Sequence, residues 1–105
     1  MKTYAKLIDE KDNVVTLLSD CQKGDEITVN FKNSRTSYTA DSPIQFGHKM
    51  AISRIGKGQN VIKYGAPIGS ALEDIAAGDW VHTHNVKDEY KCLDKQDNPL
   101  PGQED

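Results

Sequence analysis

The segment Trp80–Val86, WVHTHNV, carries two of the chain's three histidines one residue apart. In a strand, side chains i and i+2 share a face, with their Cα atoms about 6.5–7 Å apart. Read this way, His82 and His84 stand side by side, while Val81, Thr83 and Asn85 turn the other way. Two imidazoles so placed can converge on one divalent metal ion or on one anionic substrate. The third histidine, His48, follows Phe46-Gly47, where glycine lets the backbone bend or approach something closely. Three imidazoles are enough protein ligands for a catalytic metal with an open position, and His82 and His84 are the candidate pair. No Asp or Glu stands at an obvious facial-triad spacing from them, and ordinary hydrogen-bonded histidines are the alternative.

A second stretch with chemical potential is NVIKYGAPIG, residues 60–69. Lys63 and Tyr64 end a strand between glycine-bounded turns. Beside imidazoles they would suit a carboxylate-bearing substrate, Lys63 as a point charge and Tyr64 as a donor or proton relay. The alternative is a snorkelling lysine next to a half-buried tyrosine. The glycines match no phosphate-cradling loop, because neither GxGxxG after a strand nor GK[ST] occurs.

The elements that must position these residues read as short strands. Alternation marks 3–9, 13–19, 26–31, 36–40, 48–55 and 60–65, separated by polar or glycine-containing turns. One helix is expected near Ser70–Ala77: Ser70 is a suitable N-cap, Glu73 completes a capping box, and Gly78 suits a left-handed stop. Leu72, Ile75 and Ala76 would share its buried face. A pattern with glycine before a strand recurs at 21–27 (CQKGDEI), 55–61 (IGKGQNV) and 75–81 (IAAGDWV). Its unequal spacing excludes a solenoid and fits a compact clip-like or barrel-like β fold. The expected organisation is a mainly β domain over 1–86, followed by a polar linker or tail over 87–105 that contains Pro99 and Pro101.

Composition narrows the function classes. The 105 residues hold 13 Lys+Arg against 16 Asp+Glu, a net charge of −3, so nucleic acid has no basic footprint to bind. No apolar run is long enough to span a membrane, and the charged start MKTYAKLIDEKD lacks a signal core, giving a cytoplasmic expectation. Cys21 and Cys92 read as two reduced thiols without a role.

Three blocks in order, GHKMA (47–51), IKYGAPIG (62–69) and HTHN (82–85), make the chain resemble the N-terminal domain of altronate dehydratase (altronate hydrolase). Related domains occur in galactarate dehydratase and in the small subunit of sulfolactate sulfo-lyase. The resemblance is strong over 47–86 and loose over 1–46. It implies a SAF-type β-clip fold and a part in a metal-dependent carbon–oxygen hydro-lyase that turns a sugar acid into a 2-keto-3-deoxy acid. It further implies a large catalytic domain or partner subunit, and a divalent metal, iron, in the complete enzyme. On this reading His82 and His84 are catalytic at a shared active site, and His48, Lys63, Tyr64 and Asn85 contact the sugar-acid substrate. The chain alone is expected to be inactive. The alternatives are a non-catalytic assembly module, which would dock on the catalytic part or form a homo-oligomer, and the small subunit of a sulfolactate-type lyase.

Overall fold

The computed structural model of the protein describes residues 2–87. Of the polar tail expected over 87–105, Lys87 belongs to the last strand, and the rest, with Cys92, lies outside the described residues. Nine strands run through the described chain: β1 (Lys2–Lys6), β2 (Val14–Leu17), β3 (Glu26–Phe31), β4 (Ser34–Thr39), β5 (Lys49–Ala51), β6 (Asn60–Lys63), β7 (Ala66–Ala71), β8 (Trp80–Val81) and β9 (Val86–Lys87). They form a six-stranded sheet in the order β4-β3-β1-β2-β5-β8 and a three-stranded sheet in the order β6-β7-β9. The mainly β class expected of a SAF-like clip is what the chain adopts.

Consecutive apolar residues in β2 and β5 have a structural reason. Val15 and Met50 are directly opposite and enter one core with Leu17, Ile27 and Ile44. Val14 and Ala51, the next pair, enter a second core with Ile55, Val61, Ile75 and Val81. Both strands are therefore covered on both faces, so burial replaces the alternation of a half-exposed strand. Fully burying one Val, Ile or Met side chain is worth about 1.5–3 kcal/mol, which makes these strands the seam of the domain.

Among the described residues the glycine turn occurs four times, because Ile44–Lys49 (IQFGHK) has the same geometry as the three read from the sequence. Gly24, Gly47, Gly58 and Gly78 all have positive φ, between 84° and 97°. Each donates its N–H across the domain at 2.8–2.9 Å: Gly24 to Ala40, Gly47 to Leu17, Gly58 to Ala71 and Gly78 to Ala51. The turns pair off. Cys21 and Ile44 exchange backbone hydrogen bonds, as do Ile55 and Ile75. Asp20 accepts the Phe46 N–H in the first pair, and Asp74 accepts the Lys57 N–H in the second. Each pair of turns brackets a hairpin, β3–β4 in the first and β6–β7 in the second.

The expected helix at Ser70–Ala77 does not form. Ser70 and Ala71 belong to β7, where they pair with Asn60, Lys87 and Val86. Ile75 is pinned to Ile55, and Gly78 closes the fourth glycine turn instead of a helix end. Leu72, a residue of the expected buried face, is 45% exposed. Two helical turns nucleate poorly in isolation, and the long-range bridge offers Ile75 complete burial. Residues 66–71, to which the sequence reading assigned no strand, are the longest strand of the small sheet. Only Tyr64 (φ 57°) and Gly65 (φ 74°) form the turn, as a two-residue hairpin with positive φ at both central positions.

Candidate functional site

The strand carrying the histidines ends earlier than its pattern suggests. β8 stops at Val81, and residues 82–85 form a turn in which the Asn85 N–H donates to the His82 carbonyl at 3.1 Å. The pleat therefore does not set His82 and His84 side by side. Asn85 is buried and shapes this turn: its Oδ1 accepts from the His82 N–H at 3.0 Å, and its Nδ2 donates to the Trp80 carbonyl at 2.9 Å. Both ends of the amide are spent on backbone, so Asn85 positions the segment on which both histidines ride.

Trp80 gathers the imidazoles. Its ring stacks on His82 at a centroid distance of 5.4 Å and an interplanar angle of 11°. His84 lies 4.7 Å from the same indole at 36°, and His48 lies 5.9 Å away at 37°. His48 and His82 are 4.9 Å apart. The indole N–H also donates to His48 Nδ1 at 3.2 Å. Sequence reasoning passed over Trp80 because its partner His48 is 32 positions away. The available hint was its place as the lone tryptophan in the histidine segment.

His48 owes its availability to an irregularity among the four turns. At the equivalent position Asp25, Gln59 and Asp79 each use their side chain to accept the N–H three residues back, on Gln22, Gly56 and Ala76. In the remaining turn that position is His48, whose ring bonds Trp80 instead. A position that is structural in three turns has been given to an imidazole in the fourth.

Lys49, which sequence reasoning also passed over although it lies inside the GHKMA block, follows at the start of β5. Together with His82, Thr83, Ile68, Val81 and Val86 it lines a shallow groove of about 190 Å³. Burial lowers the pKa of His82 from the usual imidazole value, and the nearby positive charges of His48, Lys49 and His84 lower it further. Both effects favour the neutral form of His82. Across Trp80 lies a different environment, a cleft lined by Asp41, Glu73, Asp79 and His84 among others. There a hydrogen bond to the Asp79 carboxyl raises the Asp41 pKa. Burial pushes the Cys21 thiol up, leaving it an inert core group.

Lys63 and Tyr64 are placed elsewhere. They occupy the β6–β7 hairpin tip, with Lys63 Nζ 4.8 Å from the Tyr64 ring centroid. Buried Asp12 accepts from the Tyr64 and Gly65 N–H groups at 3.1 and 2.8 Å, tying the tip to the β1–β2 loop. Neither residue makes a hydrogen bond or ring contact with an imidazole. As for a metal, no three His, Cys, Asp or Glu side chains converge to hold one among the described residues. The three imidazoles are instead arranged about the Trp80 indole.

Comparison with known proteins adds the relationship. Residues 4–89 match the model of the altronate/galactarate dehydratase SAF domain. The chain is 45% identical over 84 residues to altronate dehydratase of Escherichia coli, and 38% identical over 87 residues to that of Bacillus subtilis. These matches cover 80% and 83% of the chain but only 16% of each relative, so the chain spans about a sixth of their length. It is also 42% identical over 59 residues to the (2R)-sulfolactate sulfo-lyase subunit alpha of Paracoccus pantotrophus, covering 56% of this chain and 88% of that subunit. With its strands, its paired glycine turns and this match in agreement, the chain belongs to the altronate/galactarate dehydratase SAF domain family.

Proposed function

We propose that the chain is the SAF domain or small subunit of a cytoplasmic sugar-acid hydro-lyase of the altronate dehydratase type, and that it binds the substrate carboxylate at the Trp80 groove. The observation that carries this reading is the gathering of His48, His82 and His84 about one indole, with Lys49 and His82 lining the adjoining groove, in a chain of net charge −3. Lys49 and three protonatable imidazoles lie close together there, and a bound carboxylate would offset the positive charge that the group carries or acquires.

Dehydration of a sugar acid removes the proton α to the carboxylate and expels the β-hydroxyl, leaving an enol that becomes a 2-keto-3-deoxy acid. Charge accumulates on the carboxylate as the α-proton leaves, and Lys49 and His48 would stabilise it. Neutral His82 can accept a proton, and exposed His84 can exchange one with the leaving hydroxyl or with solvent. Asn85 holds both histidines in place without touching substrate. Lys63 and Tyr64 would reach substrate only if a large substrate or the catalytic part extended to the hairpin tip. The rest of the active site would come from a large catalytic domain or partner subunit. A metal of the complete enzyme would draw its ligand set from outside this chain, with at most His82 and His84 contributing.

The test is an NMR titration of the 105-residue chain with altronate, followed at the imidazoles. Joint movement of the His48, His82 and His84 signals, abolished by Lys49→Met, is expected. Signals that stay still up to tens of millimolar would remove the carboxylate groove. A response to sulfolactate but not to altronate would favour the second reading, a sulfolactate-type small subunit, for which the high coverage of the Paracoccus subunit speaks.

A further inference from the structure

We propose that Trp80 is the positioning residue of the groove, and that its indole N–H locks the neutral His48 ring with its proton on Nε2. An indole nitrogen can only donate, so the 3.2 Å contact requires His48 Nδ1 to accept with a free lone pair. A neutral imidazole has one proton, which must then sit on Nε2. His48 is thereby a hydrogen-bond donor through Nε2, suited to a carboxylate or hydroxyl oxygen. It is not a metal ligand through that nitrogen, since metal binding needs the Nε2 lone pair and a second partner that accepts from Nδ1–H.

Three further observations support the lock. The His48 ring is the one side chain at its turn position that closes no turn, so nothing else within its own turn dictates how it lies. The indole is itself held, because its residue's carbonyl accepts from buried Asn85 and its ring is stacked on His82. Trp80 also packs against the first core, which limits its rotation. Tautomer and orientation of His48 are thus inherited from a residue that carries no titratable group. The role of His48 toward substrate rests on the groove reading given above; the tautomer itself does not.

The experiment is long-range ¹H–¹⁵N NMR of the histidine-labelled full chain at about pH 8, above the ordinary imidazole value. A single His48 tautomer is expected, with Nε2 protonated and Nδ1 showing the signature of a free, hydrogen-bonded nitrogen. In His48→Ala the indole proton of Trp80 should shift upfield and exchange faster with solvent, while amide signals of β1–β4 stay in place. Trp80→Phe keeps an aromatic ring but removes the donor, and should shift the Nδ1 signal. If that variant does not fold, the wild-type tautomer and the His48→Ala response decide. A wild-type ring protonated on Nδ1, or an indole proton indifferent to His48→Ala, would overturn the lock. Altronate without effect on a locked ring would overturn the groove reading alone and leave the lock supported.

Discussion

At the scale of single residues, His82 is the side chain whose chemistry depends most on its neighbours. Its pKa is lowered by burial first, and then by His48, Lys49 and His84. A histidine depressed in the folded state binds fewer protons there than in the unfolded chain at mildly acidic pH. Its linkage therefore leaves stability intact above the unfolded value of about 6.5 and erodes it as pH falls through the folded value. Substituting His82→Gln should flatten that acid-side loss, measured as urea midpoints across pH 5–8. Lys49→Met should move the His82 titration upward, as read by its ring proton shifts. An unchanged titration would show that Lys49 exerts no influence on the imidazole. Asn85→Ala tests positioning separately: it leaves the His82 N–H and the Trp80 carbonyl without their buried partner. A loss of about 2 kcal/mol in urea unfolding is expected, together with broadened His82 and His84 signals.

At the scale of elements, the turns carry information that the strands do not. Each glycine turn feeds the chain back into the domain, and the polar side chain at its fifth position normally closes it. Asp25→Ala should cost about 1 kcal/mol by leaving the Gln22 N–H to water. The β6–β7 hairpin obeys a different rule. Tyr64 adopts φ 57°, a conformation that costs a non-glycine residue about 1–2 kcal/mol, while Asp12 holds two consecutive N–H groups in place. Tyr64→Gly should therefore raise stability, and Asp12→Ala should lower it by about 2–3 kcal/mol. A Tyr64→Gly protein that is less stable than the parent would mean that packing of the phenol outweighs the backbone relief.

At the scale of the whole molecule, β2 and β5 serve both cores, so neither sheet has an interior of its own. Met50→Ala and Ile75→Ala, one in each core, should each cost about 2–5 kcal/mol. Both should shift one shared unfolding transition, seen alike by far-UV signal and Trp80 fluorescence. Two separated transitions would show that the cores fold independently. The small sheet closes through a tight approach: a Cβ on Gly69 would collide with the Lys87 carbonyl and lie 2.9 Å from Val86 Cγ1. Gly69→Ala should push β9 off β7 and, through Val86 and the adjoining 82–85 turn, loosen the groove, seen as shifted His82 ring signals.

Much of this protein is written locally. The apolar pattern is enough for β3, whose bounds at Glu26–Phe31 agree with the reading of the alternation, and glycine before a strand start is enough for three of the four turns. The motif blocks were enough for the family. The absent helix shows the limit of local signals: SALEDIAAG satisfies a capping box, yet bridging to Ile55 buries Ile75 more fully than two helical turns could. Asn85, read as a substrate contact, turned out to have both ends of its side chain engaged by backbone. Proximity to the histidines could not be read for Lys63 and Tyr64, because Asp12, some fifty positions away, anchors the hairpin tip. Nor could spacing reveal that Trp80 draws His48 to His82. That arrangement depends on β8 pairing with β5, which sets Met50 opposite Trp80 and brings His48, two residues before Met50, to the indole edge. Residue type and periodicity determine which segments become strands and turns, since those preferences act over a few bonds. Which side chains meet is decided by strand pairing across tens of residues, where the energy of a contact appears only once both cores have closed.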